Sequence, residues 1–132
     1  MPTKTKVDLT DAEKIRLNDT LCIAASYGNL KDIISTFEKG ADLDAQLDGR
    51  TSLMRAAIGW SRKSVGEDAY EEIAKFLIDN SAKRNLRING FAALDYAMIS
   101  NFKKVENTLR KYKLEDTKNL GLLRPALSIQ FE

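Results

Sequence analysis

Glu67-Asp68 and Glu71-Glu72 are adjacent pairs of carboxylates, the nearest approach to an acid–base constellation in this 132-residue chain. Two carboxylates can divide acid and base roles only at a set separation, with surroundings that hold their protonation states apart. No organising partner accompanies these pairs in the sequence. The chain has no histidine and a single cysteine, Cys22. This excludes, within the chain, histidine general bases, Ser–His and Cys–His nucleophiles, histidine-containing metal sites and multi-cysteine zinc sites. No phosphate-cradling glycine loop, nucleotide fingerprint or metal-ligand spacing occurs. The expectation is a protein that is not an enzyme and uses no cofactor or metal. Cys22 cannot form an internal disulfide, which favours a reducing, cytoplasmic setting. Asn18-Asp19-Thr20 fits a glycosylation acceptor by coincidence, since no apolar secretion segment accompanies it.

The remaining chemistry is recognition by charge. Twenty-one Lys and Arg oppose nineteen Asp and Glu, a net of +2. Residues 64–82 carry five acids against Lys75, net −4, and residues 83–113 carry eight bases against Asp95 and Glu106, net +6. Such an alternation reads either as solvated helix faces or as a polarised surface that selects a partner. Lys103, Lys104, Arg110, Lys111 and Lys113, with Tyr112 among them, make nucleic acid the alternative ligand. An isoelectric point near 8.6 and the adjoining acidic block weigh against it. No run approaches the ~18 apolar residues of a membrane span.

Three short segments repeat: Asp19-Thr20-Leu21-Cys22-Ile23-Ala24-Ala25, Thr51-Ser52-Leu53-Met54-Arg55-Ala56-Ala57 and Ala92-Ala93-Leu94-Asp95-Tyr96-Ala97-Met98. Leu21 and Leu53 are 32 residues apart and Leu53 and Leu94 are 41 apart, so the second unit carries nine extra residues. Amphipathic helices follow each segment: Leu30, Ile33, Ile34 and Phe37 in the first, Ile73 to Ile78 in the second, and Val105 with Leu109 on a helix over 102–112 in the third. Gly28 and Gly40 are candidate helix stops, with Asn101 at the place of Gly28. Thr10-Asp11-Ala12-Glu13 is a capping box opening an N-terminal helix.

Asp48-Gly49-Arg50-Thr51-Ser52-Leu53-Met54-Arg55-Ala56-Ala57 and Gly40-Ala41-Asp42-Leu43-Asp44-Ala45 resemble the two signatures of the ankyrin repeat, and Asn89-Gly90-Phe91-Ala92-Ala93-Leu94 is a looser match. The resemblance covers about residues 18–113. It implies an all-α solenoid of stacked helix-turn-helix units with short hairpin-like fingers. The chain then divides into an N-terminal cap helix (1–17), repeat 1 (18–46), repeat 2 (47–86, insertion about 59–70), repeat 3 (87–113) and a C-terminal capping tail (114–132). Cys22, Met54 and Asp95 stand where the family has the histidine that ties neighbouring repeats. Its loss predicts interfaces held mainly by apolar packing.

The resemblance also implies function. Short free-standing members bind other proteins as adaptors, inhibitors or immunity partners through a concave face of fingers and inner helices. Carried over, this implicates Tyr27, Leu47, Asp48, Arg50, Arg87, Ile88, Asn89 and Phe91. Ser26, Ile58, Gly59, Ile99 and Ser100 lie on the same inner helices. Ile88 and Phe91 have a competing structural reading, packing against Leu47. The insertion adds Trp60 and Arg62, with Tyr70 as a further anchor. Against that, Trp60 could extend its helix and cap the core. The tail alternates apolar and polar residues through Leu127, Ile129 and Phe131. Such a strand-like segment caps the third repeat or pairs with a partner or a second copy, giving a homodimer.

Overall fold

Thr10 fixes where the first helix begins. Its hydroxyl accepts from the Glu13 N–H at 3.1 Å while the Glu13 carboxylate accepts from the Thr10 N–H at 2.9 Å. The structure is a computed structural model that describes residues 9–121. Helix α1 runs Asp11–Tyr27 without interruption. The separate cap helix expected to end at residue 17 is therefore the first part of the first inner helix. No glycine or proline falls within it to break the rod.

Asn29 opens α2 (Leu30–Glu38) by accepting from the Asp32 N–H at 3.2 Å. A finger follows, β1 (Gln46–Leu47) paired antiparallel with β2 (Arg50–Thr51). Thr51 caps α3 (Ser52–Ile58). The insertion forms a short turn of helix, α4 (Arg62–Val65), and the start of α5 (Glu67–Asp79). The second finger is a single bridge between Ile88 and Phe91. It leads into α6 (Ala93–Ile99) and α7 (Lys103–Gly121). Helix α7 is longer than the 102–112 expected, so the first part of the expected tail is helical. The alternating segment at 127–132, and with it the proposed cap and homodimer contact, lies outside the described residues.

Helices α1, α3 and α6 contact one another in that order, and α2, α5 and α7 do the same. Each member of the first series also packs on its partner in the second. The described residues are thus mostly helical, in two layers, in keeping with the all-α expectation. Leu21, Ile33, Leu53, Ile73, Leu77, Ala97, Phe102 and Val105 fill the space between the layers. Ala24, Ala25, Ala56, Ala57 and Ala97 are all buried, which lets the inner helices approach closely.

The same helix exit recurs four times. The N–H groups of Asn29, Ala41, Ala82 and Phe102 reach back to the carbonyls of Ala24, Thr36, Leu77 and Ala97, each after a residue of positive φ. Those residues are Gly28 (73°), Gly40 (113°), Ser81 (77°) and Asn101 (54°).

Polar ties accompany the apolar packing, within the first expected unit and between it and the second. Asn18 Oδ1 accepts from the Asp42 N–H, and Asp44 Oδ1 accepts from the Lys83 N–H, both at 2.8 Å. The Cys22 thiol lies 3.6 Å from the Ala45 carbonyl. Met54 and Asp95 instead accept from the backbone N–H at the start of their own helices. Longer ties come from Arg55, which lies within the repeated segment 51–57, and from Arg62 and Tyr70 of the insertion.

Candidate functional site

Inner helices α1, α3 and α6 and the two fingers bring together the exposed aromatic and arginine side chains. At one end Tyr27 stacks on Trp60, with ring centroids 6.3 Å apart and planes 7° from parallel. Both remain open to solvent, at 55% and 72% exposure. At the other end Arg50 of the first finger lies over the Tyr96 ring, 5.6 Å from its centroid, and Phe91 packs against the same ring at 5.7 Å. A crevice of about 20 Å³ joins the two ends, lined by Ser26, Arg50, Arg55, Ile58 and Trp60. Aromatic and arginine side chains are the commonest anchors of protein interfaces.

Two buried side chains hold this face in place. Tyr70 is fully buried; its hydroxyl donates to the Ser26 carbonyl at 2.7 Å and accepts from the Ser61 N–H at 2.8 Å. It thus ties the insertion to the end of α1, beside the Tyr27–Trp60 stack. Arg55 is 8% exposed and donates to Ser26 Oγ at 2.9 Å and to the Leu47 carbonyl. No carboxylate among the described residues pairs with it, so a full positive charge is held beneath this face by neutral acceptors alone. Burial pushes the neighbouring Cys22 thiol up to about 11, against the opposing pull of the Arg55 charge.

The residues expected to bind a partner fall into different environments. Tyr27, Arg50, Trp60 and Phe91 lie on the shared face. Trp60 stands exposed instead of capping the core, so the competing structural reading of that residue fails. Phe91 packs on Tyr96, a different neighbour from the Leu47 that the competing reading named. Asp48 and Asn89 occupy the finger turns, both with φ of 54°, where a tight hairpin turn demands left-handed backbone. Leu47 is half-buried and its carbonyl is the acceptor for Arg55. Ile88 is half-buried and packed on the core.

Arg87 and Arg62 brace the scaffold, Arg87 while staying largely exposed. Arg87 bridges Asp95 at 3.1 Å and the Gly90 carbonyl at 2.8 Å, bracing the second finger on α6. Arg62 donates to the Ser100 carbonyl at 2.7 Å with its guanidinium 4.6 Å over the Phe102 ring. It joins the insertion to the turn between α6 and α7. Sequence reasoning missed Tyr96 and Arg55 as site residues. Both lie two positions after the repeated leucine, where Ile23 stands in the first unit, and that shared register was the available signal.

The opposite layer carries the charge blocks. Lys104 on α7 pairs with Asp68 on α5 at 3.2 Å, and Glu106 pairs with Lys103 at 3.5 Å and Arg110 at 3.0 Å. The hydrogen bond and charge of Asp68 raise the Lys104 pKa, and Arg110 lowers that of Glu106. Acidic and basic segments thus partly neutralise each other across the α5–α7 contact. A second cavity, about 320 Å³, lies where Arg84 and Asn85 meet α6 and α7. Among the described residues no group of three or more acidic, cysteine or histidine side chains could hold a metal, and no helix is long and apolar enough to cross a membrane. No protein-family model matches the chain, and a search of curated proteins returns no match.

Proposed function

We propose that this chain is an ankyrin-repeat solenoid that binds another protein through its finger and inner-helix face, and that it inhibits or neutralises that partner by covering one of the partner's working surfaces. The observation that carries the reading is the run from the exposed Tyr27 and Trp60, past the crevice, to the exposed Arg50 and Phe91, which both lie against the half-buried Tyr96. The order of the two helix layers and the fourfold helix exit support the repeat assignment. Stacked units of this kind give a surface that moves little on binding. A cytoplasmic setting belongs to the same proposal, supported by the lone buried thiol. An inhibitor, an immunity partner or an adaptor would use the same face.

The alternative, a nucleic-acid-associated factor, draws on the basic third unit. Its cations Lys103, Lys104 and Arg110 have acidic neighbours at ion-pair distance, which lowers the net charge available to phosphates. The test compares parallel affinity captures from the native source. Wild-type bait retains its partner, and bait carrying Arg50→Ala, Tyr96→Ala and Phe91→Ala loses it, while Lys103→Glu with Lys104→Glu has little effect. The reverse pattern, with steep salt dependence and recovered nucleic acid, would overturn the proposal in favour of the alternative.

A further inference from the structure

Arg55 lines the small crevice at the centre of the finger-side face, and more than nine-tenths of it is buried. Two of its terminal N–H groups are satisfied by Ser26 Oγ and the Leu47 carbonyl, but among the described residues its Nε–H has no acceptor. No carboxylate among the described residues pairs with it. A buried cation served only by neutral acceptors keeps most of its desolvation cost uncompensated. Arg50 stands at the same crevice, exposed, adding a second positive charge at its rim. The crevice, at about 20 Å³, has room for one water-sized group and is far too small for a metabolite or nucleotide. One oxygen of a carboxylate fits those dimensions, and guanidinium groups hold carboxylates through short charge-assisted hydrogen bonds.

Deepening the protein-binding reading, on which this rests, we propose that the Arg55 crevice is a carboxylate pocket for a glutamate or aspartate side chain of the partner protein. An aromatic neighbour of that acidic residue lies on the Tyr27–Trp60 stack, whose rings are exposed directly beside the crevice. Arg55 supplies the buried charge, Arg50 closes the rim, and Ile58 and Trp60 exclude water from the contact. Partner choice at this point is then read by charge and by one aromatic contact, with the outer layer of helices taking no part.

Trp60 is the sole tryptophan, so its fluorescence reports on this site alone. The probe is the blocked peptide acetyl-Leu-Glu-Phe-amide, compared with its Leu-Gln-Phe counterpart. The glutamate peptide is expected to shift the Arg55 Nε–H resonance and change Trp60 emission, and to bind about tenfold more tightly than the glutamine peptide. Arg50→Gln, at an exposed position, is expected to reduce that preference without unfolding the chain. Equal binding of the two peptides, an unmoved Arg55 resonance, or shifts confined to the lysines of α7 would each overturn the proposal. Captures with bait carrying only Tyr96→Ala and Phe91→Ala, which leave both crevice arginines in place, read protein binding independently. If they succeed while the peptide comparison fails, only the carboxylate pocket falls.

Discussion

Tyr70 and Ser81 show how far single residues decide this structure. The Tyr70 hydroxyl serves one donor and one acceptor in a fully buried site. Tyr70→Phe leaves the Ser61 N–H and the Ser26 carbonyl without their partner and is expected to cost about 1–3 kcal/mol in urea unfolding. Ser81 holds a φ of 77° at a helix exit where the first unit has Gly40. Ser81→Gly relieves that strain and is expected to raise stability by about 1 kcal/mol, read as a higher urea midpoint at unchanged slope. Cys22 gives a pH effect. Its folded pKa is about 11 against an ordinary value of 9.0, so above pH 9 the folded chain keeps a proton that the unfolded chain has lost. The contribution is therefore full below about pH 9 and falls away as pH rises towards 11. Urea midpoints of the wild type should decline more steeply over that window than those of Cys22→Ala.

At the scale of elements, the repeated leucine and alanine positions were legible because they are local: a helix face and its stop are written within a dozen residues. The Thr10 capping box, the Gly28 exit and its Asn101 equivalent all stand where their residue types place them. The continuity of α1 and the length of α7 were not legible. Nothing in the sequence distinguishes a cap helix from the first turns of a longer one when no glycine or proline intervenes. The site was half legible. Tyr27, Trp60, Arg50 and Phe91 were named from their types and places, whereas Arg62 and Arg87 look alike in sequence and turn out to brace the scaffold. Arg55 reaches Ser26 across 29 positions and Tyr70 reaches the same residue across 44. No periodicity announces such contacts. Gly59 tests the α3 exit: its φ is +62°, and an added Cβ would sit 2.3 Å from the Phe102 ring. Gly59→Ala is expected to cost about 2–4 kcal/mol in thermal or urea unfolding, through both backbone strain and overpacking.

Over the whole molecule, the overall charge of +2 conceals an acidic and a basic segment, yet these segments meet in the α5–α7 layer and partly cancel there. Among the described residues, Arg50, Arg55 and Arg62 lie near the aromatic run without an acidic partner at ion-pair distance, and Arg62 is engaged by the Ser100 carbonyl and the Phe102 ring, leaving Arg50 and Arg55 at the crevice. Electrostatic steering of a partner should then depend on these two arginines more than on the lysines of α7. Association rates measured against salt concentration should lose much of their salt dependence in Arg50→Gln and little in Lys103→Gln. The central claim is that one face binds and the other does not, and hydrogen exchange of the chain with and without its captured partner tests it most directly. The account predicts added protection at the two fingers and at the ends of α1, α3 and α6 around Tyr27, Ile58 and Tyr96, with α2, α5 and α7 unchanged. Protection confined to α5 and α7, with the fingers unchanged, would contradict it.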